Sequence, residues 1–348
     1  MLEFELENCS SWDYLSKADK PVLIYGMGNG ADKIIDILNR KNIEICGVMA
    51  SDDFVRGQTF RGFTVKKLSD FTGDFIVVPA FGSSLSDVMN HIIDISRVYD
   101  MIIPTVPVFG GGIYDDDFIE KNADKLNKVY SLLSEKSKSI YADCINFFYS
   151  GKIKYLLESQ TEKREIFDEF LCLDGSGVFV DLGAYRGDTI EEYLSYTKGA
   201  YNEIIALEPD RKTFKKLKEK FGQSDNIDLH NKAVSNKSGI IKFSCEGSRN
   251  SSISEKGVEI ECITIDELCF GKNIEYIKMD VEGSEMDALS GAENTIKHCK
   301  PKLNTALYHR LNDLFEIPLK IYELNPDYEF EIRHHPYIPC WDFNLYCR

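Results

Sequence analysis

Val178-Phe-Val-Asp181-Leu-Gly183-Ala-Tyr185-Arg-Gly187-Asp188-Thr189 decides the architecture of the C-terminal half. Val178 to Val180 is an apolar run that predicts a buried strand. The glycines that follow let the backbone pass close to a ligand and take positive φ. Beyond them Ile190, Tyr193, Leu194 and Thr197 share one helical face, and the start of a helix offers free N–H groups. No Gly-Lys-Ser/Thr follows, so the loop is not a P-loop, and it is not G-x-G-x-x-G either. Its form is D-x-G-x-x-x-G, with an acid at the strand end. An acid there would repel a pyrophosphate but suits a cationic head such as an amine. S-adenosylmethionine (SAM) has an amino-acid end and a sulfonium, and no phosphate.

A second acid stands where such a site needs one. Ile204 to Leu207 predicts the next strand, and Glu208 closes it 27 residues after Asp181. A carboxylate at that place can accept hydrogen bonds from both ribose hydroxyls. A third motif, Ile274-Glu-Tyr-Ile-Lys278-Met-Asp280-Val-Glu282-Gly283-Ser-Glu285, reads as strand, turn and helix. Together these motifs make the chain, from about Ser139 onward, resemble the FkbM family of SAM-dependent methyltransferases. K-x-D-x-E-G-x-E is the family's most specific mark, and Leu289-Ser-Gly-Ala292, Pro301 and Tyr308-His309 also look like it. The resemblance implies a class I methyltransferase fold: a seven-stranded, mostly parallel sheet whose last hairpin is antiparallel. Ile227–His230, Ile277–Asp280 and Leu303–Tyr308 would supply its third to fifth strands. Tyr328–His334 and Phe343–Cys347 would form the hairpin, and residues 239–265 an inserted β element. It also implies SAM as cofactor and hydroxyl oxygens of sugars or natural products as acceptors. The expected cofactor contacts are Asp181, Gly183, Tyr185, Gly187, Asp188, Thr189, Glu208 and Asp280.

Methyl transfer from a sulfonium is an in-line displacement, so alignment supplies much of the rate. A base within hydrogen-bond reach would take the proton of an attacking alcohol. The acids and imidazole at the expected strand ends are Asp280, Glu282, Glu285 and His309. His309 is nominated as general base, because its ordinary pKa suits neutral pH. Asp280 is expected to orient the substrate or the SAM amino group. Glu282 and Glu285 are expected to position a sugar hydroxyl, unless Glu285 simply favours the start of its helix. This oxygen-rich group is compatible with a divalent cation, but the chemistry does not require one, and no metal ligand is assigned. Neighbouring side chains in a strand point to opposite faces, so His334-His335 is read as structural. The polar stretch Gly247-Ser-Arg249-Asn250-Ser-Ser252 reads as an acceptor lid, with Arg249 and Asn250 as sugar or phosphate ligands, or as a plain surface loop.

The N-terminal block is a second α/β pattern. Val22–Tyr25 predicts a strand, Gly26-Met-Gly28-Asn-Gly30 a loop, and Ala31, Ile34, Ile35 and Leu38 the buried face of a helix. Ile43–Met49 and Phe75–Val78 predict further strands of a parallel sheet. The block loosely resembles the nucleotide-sugar-binding N-terminal domain of bacterial sugar acyltransferases. That would place phosphates on Gly26–Gly30 and a sugar near Phe81-Gly82-Ser83. The ribose acid is out of register, since Ala50 stands at the strand end and Asp52 and Asp53 come later. A degenerate domain used for packing or homodimerisation fits equally well. Prolines, three glycines and three aspartates between Pro104 and Asp117 break regular structure. Helical stripes follow: Leu126, Val129, Tyr130 and Leu133; Ile140, Cys144, Phe147 and Phe148; Ile166, Phe167, Phe170 and Leu171. The expected organisation is thus α/β with two Rossmann-like domains, 1–112 and 172–348, joined by a helical connector, 113–171.

Composition is consistent with this. The chain has 348 residues, 43% hydrophobic and 28% charged, which is ordinary for a globular protein of about two domains. With 41 basic and 57 acidic residues, the net charge of −16 disfavours a nucleic-acid partner. The basic run Lys212–Lys220 reads as the solvated face of a helix. Nothing approaches the roughly 18 apolar residues of a membrane helix, and Met1–Cys9, with three glutamates, is unlike a secretory signal. The ten cysteines are scattered without a C-x-x-C pair, which argues for reduced thiols in a cytoplasmic setting. A rival reading makes the protein an NAD- or nucleotide-sugar-binding sensor or oxidoreductase, with the C-terminal half as scaffold. The acids discriminate: the second domain keeps Asp181, Glu208 and Asp280, and the first lacks its ribose acid.

Overall fold

The structure, a computed structural model, describes residues 1–244, 252–253 and 257–348. Arg249 and Asn250, nominated above as acceptor ligands, lie outside the described residues. The chain divides into two compact units. One comprises Met1–Tyr130, Glu135–Thr161 and His334–Phe343; the other comprises Ser131–Ser134, Glu162–Arg333 and Asn344–Arg348. Among the described residues no helix is long and apolar enough to cross a membrane.

The first unit is built on strands β1 (Val22–Tyr25), β2 (Ile45–Met49), β3 (Thr59–Phe60), β4 (Phe63–Lys66), β5 (Ile76–Pro79) and β6 (Asp100–Met101), in the order β3-β4-β2-β1-β5-β6. β1 runs parallel to both β2 and β5. Central parallel strands are covered on both faces, which is why every residue of β1 is apolar and buried. Helix Asn29–Arg40 turns Ala31, Ile34, Ile35, Ile37 and Leu38 inward, as the apolar spacing predicts. The β3–β4 hairpin has no Asn-Gly signal. Its turn is Arg61-Gly62, both at positive φ (50° and 88°), the backbone that two-residue hairpins require. Helices Glu135–Ser150 and Ile153–Ser159 complete the unit, the first burying Ile140, Cys144, Phe147 and Phe148.

The second unit holds β7 (Val178–Leu182), β8 (Glu203–Leu207), β9 (Ile227–His230), β10 (Ala233–Val234), β11 (Gly239–Ser244), β12 (Ser252–Ile253), β13 (Val258–Ile263), β14 (Ile274–Met279) and β15 (Lys302–Ala306). β16 (Phe330–His334) and β17 (Phe343–Cys347) end the chain's strands. The main sheet has seven strands in the order β16-β17-β15-β14-β7-β8-β9. β7 is parallel to β8 and β14, β14 to β15, and β17 is antiparallel to β15, as the family resemblance implies. β10 to β13 form a separate four-stranded sheet, the inserted β element expected from the alternation around Glu259–Ile265.

The chain leaves β7 toward β8 on one side and returns at β14 on the other. That reversal is the place where open α/β sheets bind ligands, at the carboxyl ends of the strands. Pairing of β7 with β14 sets Tyr276 opposite Phe179 and Lys278 opposite Asp181. The aromatic pair stacks at 5.1 Å, and Tyr193 also stacks on Phe179, at 4.4 Å. Two residues further along the same strands, the packing face ends and the charged pair begins.

Candidate active site

Asp181 is the next-to-last residue of β7, fully buried, and neither of its carboxylate oxygens has a hydrogen-bond partner. Burial pushes its pKa up to about 7, with Lys278 pulling the other way. Lys278 Nζ lies 3.8 Å from Asp181 and 3.6 Å from Asp280. Burial lowers the Lys278 pKa, and these two acids more than reverse that, keeping it a cation. Gly183 and Gly187 adopt φ of 82° and 84°. A side chain at Gly187 would run into Phe221 and Leu217, so this glycine also seats the loop against helix Arg211–Phe221. Asp188 and Thr189 open helix Asp188–Tyr196, Asp188 exposed and Thr189 half-buried.

The second acid sits beside this turn. Glu208 accepts the N–H of Tyr185 at 2.9 Å and of Asp210 at 2.8 Å. Tyr185 reaches it by taking φ of 46°, a conformation uncommon outside glycine. Burial raises the Glu208 carboxyl to about 7, although both amides favour its ionised form. Asn231, on the turn after β9, holds the Glu208 and Pro209 carbonyls at 2.8 and 3.0 Å.

The remaining nominated residues meet at the ends of β14 and β15. His309 is buried, and its Nδ1 lies 2.8 Å from Glu285. Its Nε2 is 3.4 Å from both Asp280 and Glu282. Burial alone would lower the imidazole pKa, but Glu285, Asp280 and Glu282 reverse this and hold it at about 10. Glu282 is itself raised to about 8 by burial, against the pull of His309 and with the push of Asp280 and Glu285. Glu285 accepts from the backbone N–H of Val281 and Gly283, so it fixes the turn as well as the imidazole. Asp280, Glu285 and His309 each offer a ligand atom within 4.8 Å of the others. The Glu285–His309 hydrogen bond engages two of the three.

Three contacts here escape the motif reading. Tyr308 Oη donates to Asp280 at 3.2 Å. Arg310 Nε donates to the Gly283 carbonyl at 2.7 Å, and its backbone N–H to Asp313. Lys278 was legible as part of K-x-D, since period two puts it on the face of Asp280, but its partner Asp181 comes from another strand. In the first unit the Gly26–Gly30 loop follows β1 as expected, with Gly26 at φ 120°. Asp52 pairs with Lys67 at 3.0 Å. Gly82 is covered: a side chain there would strike Trp341 and meet Tyr337.

The paired buried acids, the left-handed glycine turn and the switch point fit the class I methyltransferase fold. Asp181's unmet acceptor capacity fits the ammonium of SAM, and Glu208 at the second strand end fits its ribose. Residues 181–338 match the model of the methyltransferase FkbM domain. Methyltransferase FkbM from Methylobacillus flagellatus KT, a crystal structure, is similar over 94% of this chain and 90% of its own, at 21% identity and a TM-score of 0.72. Aeropyrum pernix fibrillarin in complex with natively bound S-adenosyl-L-methionine aligns over 51% of this chain and 68% of its own, at 12% identity and a TM-score of 0.33. Precorrin-6y C5,15-methyltransferase from Geobacter metallireducens GS-15 aligns over 54% and 92%, at 14% identity and 0.34. Among curated proteins none matches.

Proposed function

We propose that this methyltransferase transfers the methyl group of SAM to a hydroxyl of a sugar or related small molecule. The observation that carries the proposal is the Asp280–Glu282–Glu285–His309 cluster beside the SAM-binding acids, because a hydroxyl, unlike a neutral amine, must lose a proton as it attacks. SAM, when bound, supplies an electrophilic methyl on its sulfonium. Asp181 binds the ammonium, Glu208 takes the ribose hydroxyls, and the Gly183–Gly187 turn lets the backbone approach the ligand.

At neutral pH the three carboxylates keep His309 protonated. Glu282, raised to about 8 and less buried than the imidazole, accepts the hydroxyl proton in its ionised form, which grows as pH rises through that value. His309 orients Glu282 and Asp280 and balances their charge, and Asp280, held by Tyr308, orients the acceptor. The net charge of −16 favours neutral or cationic acceptors over polyanions. The test is S-adenosylhomocysteine release with a panel of neutral sugars and matched amino sugars. Transfer to hydroxyls that is lost in Glu282→Gln supports the proposal. Transfer confined to amines, with Glu282→Gln fully active, overturns it.

A further inference from the structure

Away from the methyl-transfer site, soft ligands gather inside the first unit. Cys144 lies on helix Glu135–Ser150, His334 ends β16, and Cys340 follows in the segment His334–Phe343 that belongs to this unit. All three are fully buried. A ligand atom from each lies within 4.8 Å of the other two. The segments are remote in sequence and form no C-x-x-C, so spacing gives no sign of the cluster.

The histidine is prepared for coordination. Ser159 Oγ lies 2.9 Å from His334 Nδ1, and the same hydroxyl donates to the Leu156 carbonyl at 3.3 Å. In the tautomer whose Nδ1–H donates to Oγ, the imidazole lone pair stands on Nε2. Nε2 is buried and has no hydrogen-bond partner. Metal-ligating histidines are held in this way, the far ring nitrogen donating to a fixed acceptor. A buried lone pair with nothing to accept from is otherwise a cost to the fold.

We propose that Cys144, His334 and Cys340 bind a zinc ion. Zinc takes thiolate and neutral imidazole ligands. Binding releases the two thiol protons, so Zn2+ with two thiolates is a neutral complex. That suits a site whose three ligands are all fully buried. The three protein ligands leave one tetrahedral position for an exogenous ligand such as water. The ion would staple the segment His334–Phe343 to helix Glu135–Ser150 and act in structure, not in methyl transfer.

The experiment uses the full chain, purified under reducing conditions. Elemental analysis should find about one zinc per chain. Cobalt(II) substitution should give a near-ultraviolet thiolate-to-metal charge-transfer band. Cys144→Ser and Cys340→Ser should each weaken zinc binding by about tenfold or more, whereas Cys347→Ser, buried elsewhere, should leave it unchanged. In the unaltered chain, which avoids any folding defect of the variants, chelation should lower the melting temperature and zinc should restore it. A metal-free chain with no charge-transfer band on cobalt titration overturns the proposal. So does a Cys144–Cys340 disulfide in the reduced preparation, or full zinc binding by both serine variants.

Discussion

The carbonyl oxygen of Asp280 occupies the space that a side chain at Gly183 would need. The two residues close neighbouring strands, β7 and β14, on either side of the switch point, and Asp280 N–H donates to the Leu182 carbonyl at 3.1 Å. Gly183→Ala therefore meets both a backbone clash and a φ of 82°. The positive φ alone costs about 1–3 kcal/mol. We expect a lower melting temperature together with loss of S-adenosylhomocysteine binding by calorimetry. A variant that binds normally would show that the turn can open without harm.

Asp181 and Glu208 both hold their protons to about pH 7 because they are buried. A ligand ammonium or ribose hydroxyl needs the ionised forms. S-adenosylhomocysteine affinity should therefore rise as pH increases through 7. Asp181→Ala should bind weakly at every pH, and Glu208→Ala should lose about 1.5–3 kcal/mol, the worth of a hydrogen bond to a charged group. A pH-independent affinity in the unaltered protein would contradict this.

The same burial at Asp181 has a cost in stability. The folded pKa lies above the unfolded value of 3.8. Between pH 4 and 7 the unfolded chain gives up this proton and the folded chain keeps it. The group's contribution is thus greatest below about pH 4 and is lost as pH rises through 7. Asp181→Asn removes that downward trend. Urea unfolding of both proteins across this range should show their stabilities diverging toward higher pH, with the asparagine variant the more stable above 7.

Catalysis should follow Glu282. With its pKa near 8, kcat/KM should climb as pH rises through that value. Glu282→Gln should lower kcat by roughly 10²–10⁴-fold, the usual worth of a general base, and flatten the climb. His309→Ala should keep S-adenosylhomocysteine binding and lose most turnover. Unchanged turnover in His309→Ala would remove the cluster from the mechanism.

Much of this site was legible in the sequence because its parts are local. Strand, glycine loop and helix around Asp181–Thr189 announce themselves through apolar runs and two glycines. Glu208 and Asp280 stand directly at strand ends. The rest depends on pairing between distant segments. Lys278 meets Asp181 through the β7–β14 register, and the three acids that lift the His309 pKa do so only once β14 and β15 lie side by side. A free histidine suits the role of a neutral-pH base; one enclosed by Asp280, Glu282 and Glu285 is a cation. The covering of Gly82 by Tyr337 and Trp341 could not be read from composition at all, because it comes from a segment more than two hundred residues downstream.

That downstream segment bears on biosynthesis. The first unit takes its last piece from His334–Phe343, near the C-terminal end of the sequence. On the ribosome, β1 to β6 emerge early, but Ser83 gains its backbone pairing with Ile338 only after some two hundred and fifty further residues have been added. The part synthesised first therefore waits, incomplete, for a part synthesised much later. A polypeptide cut short after Thr161 would keep that gap permanently, with the rings of Tyr337 and Trp341 missing from its surface.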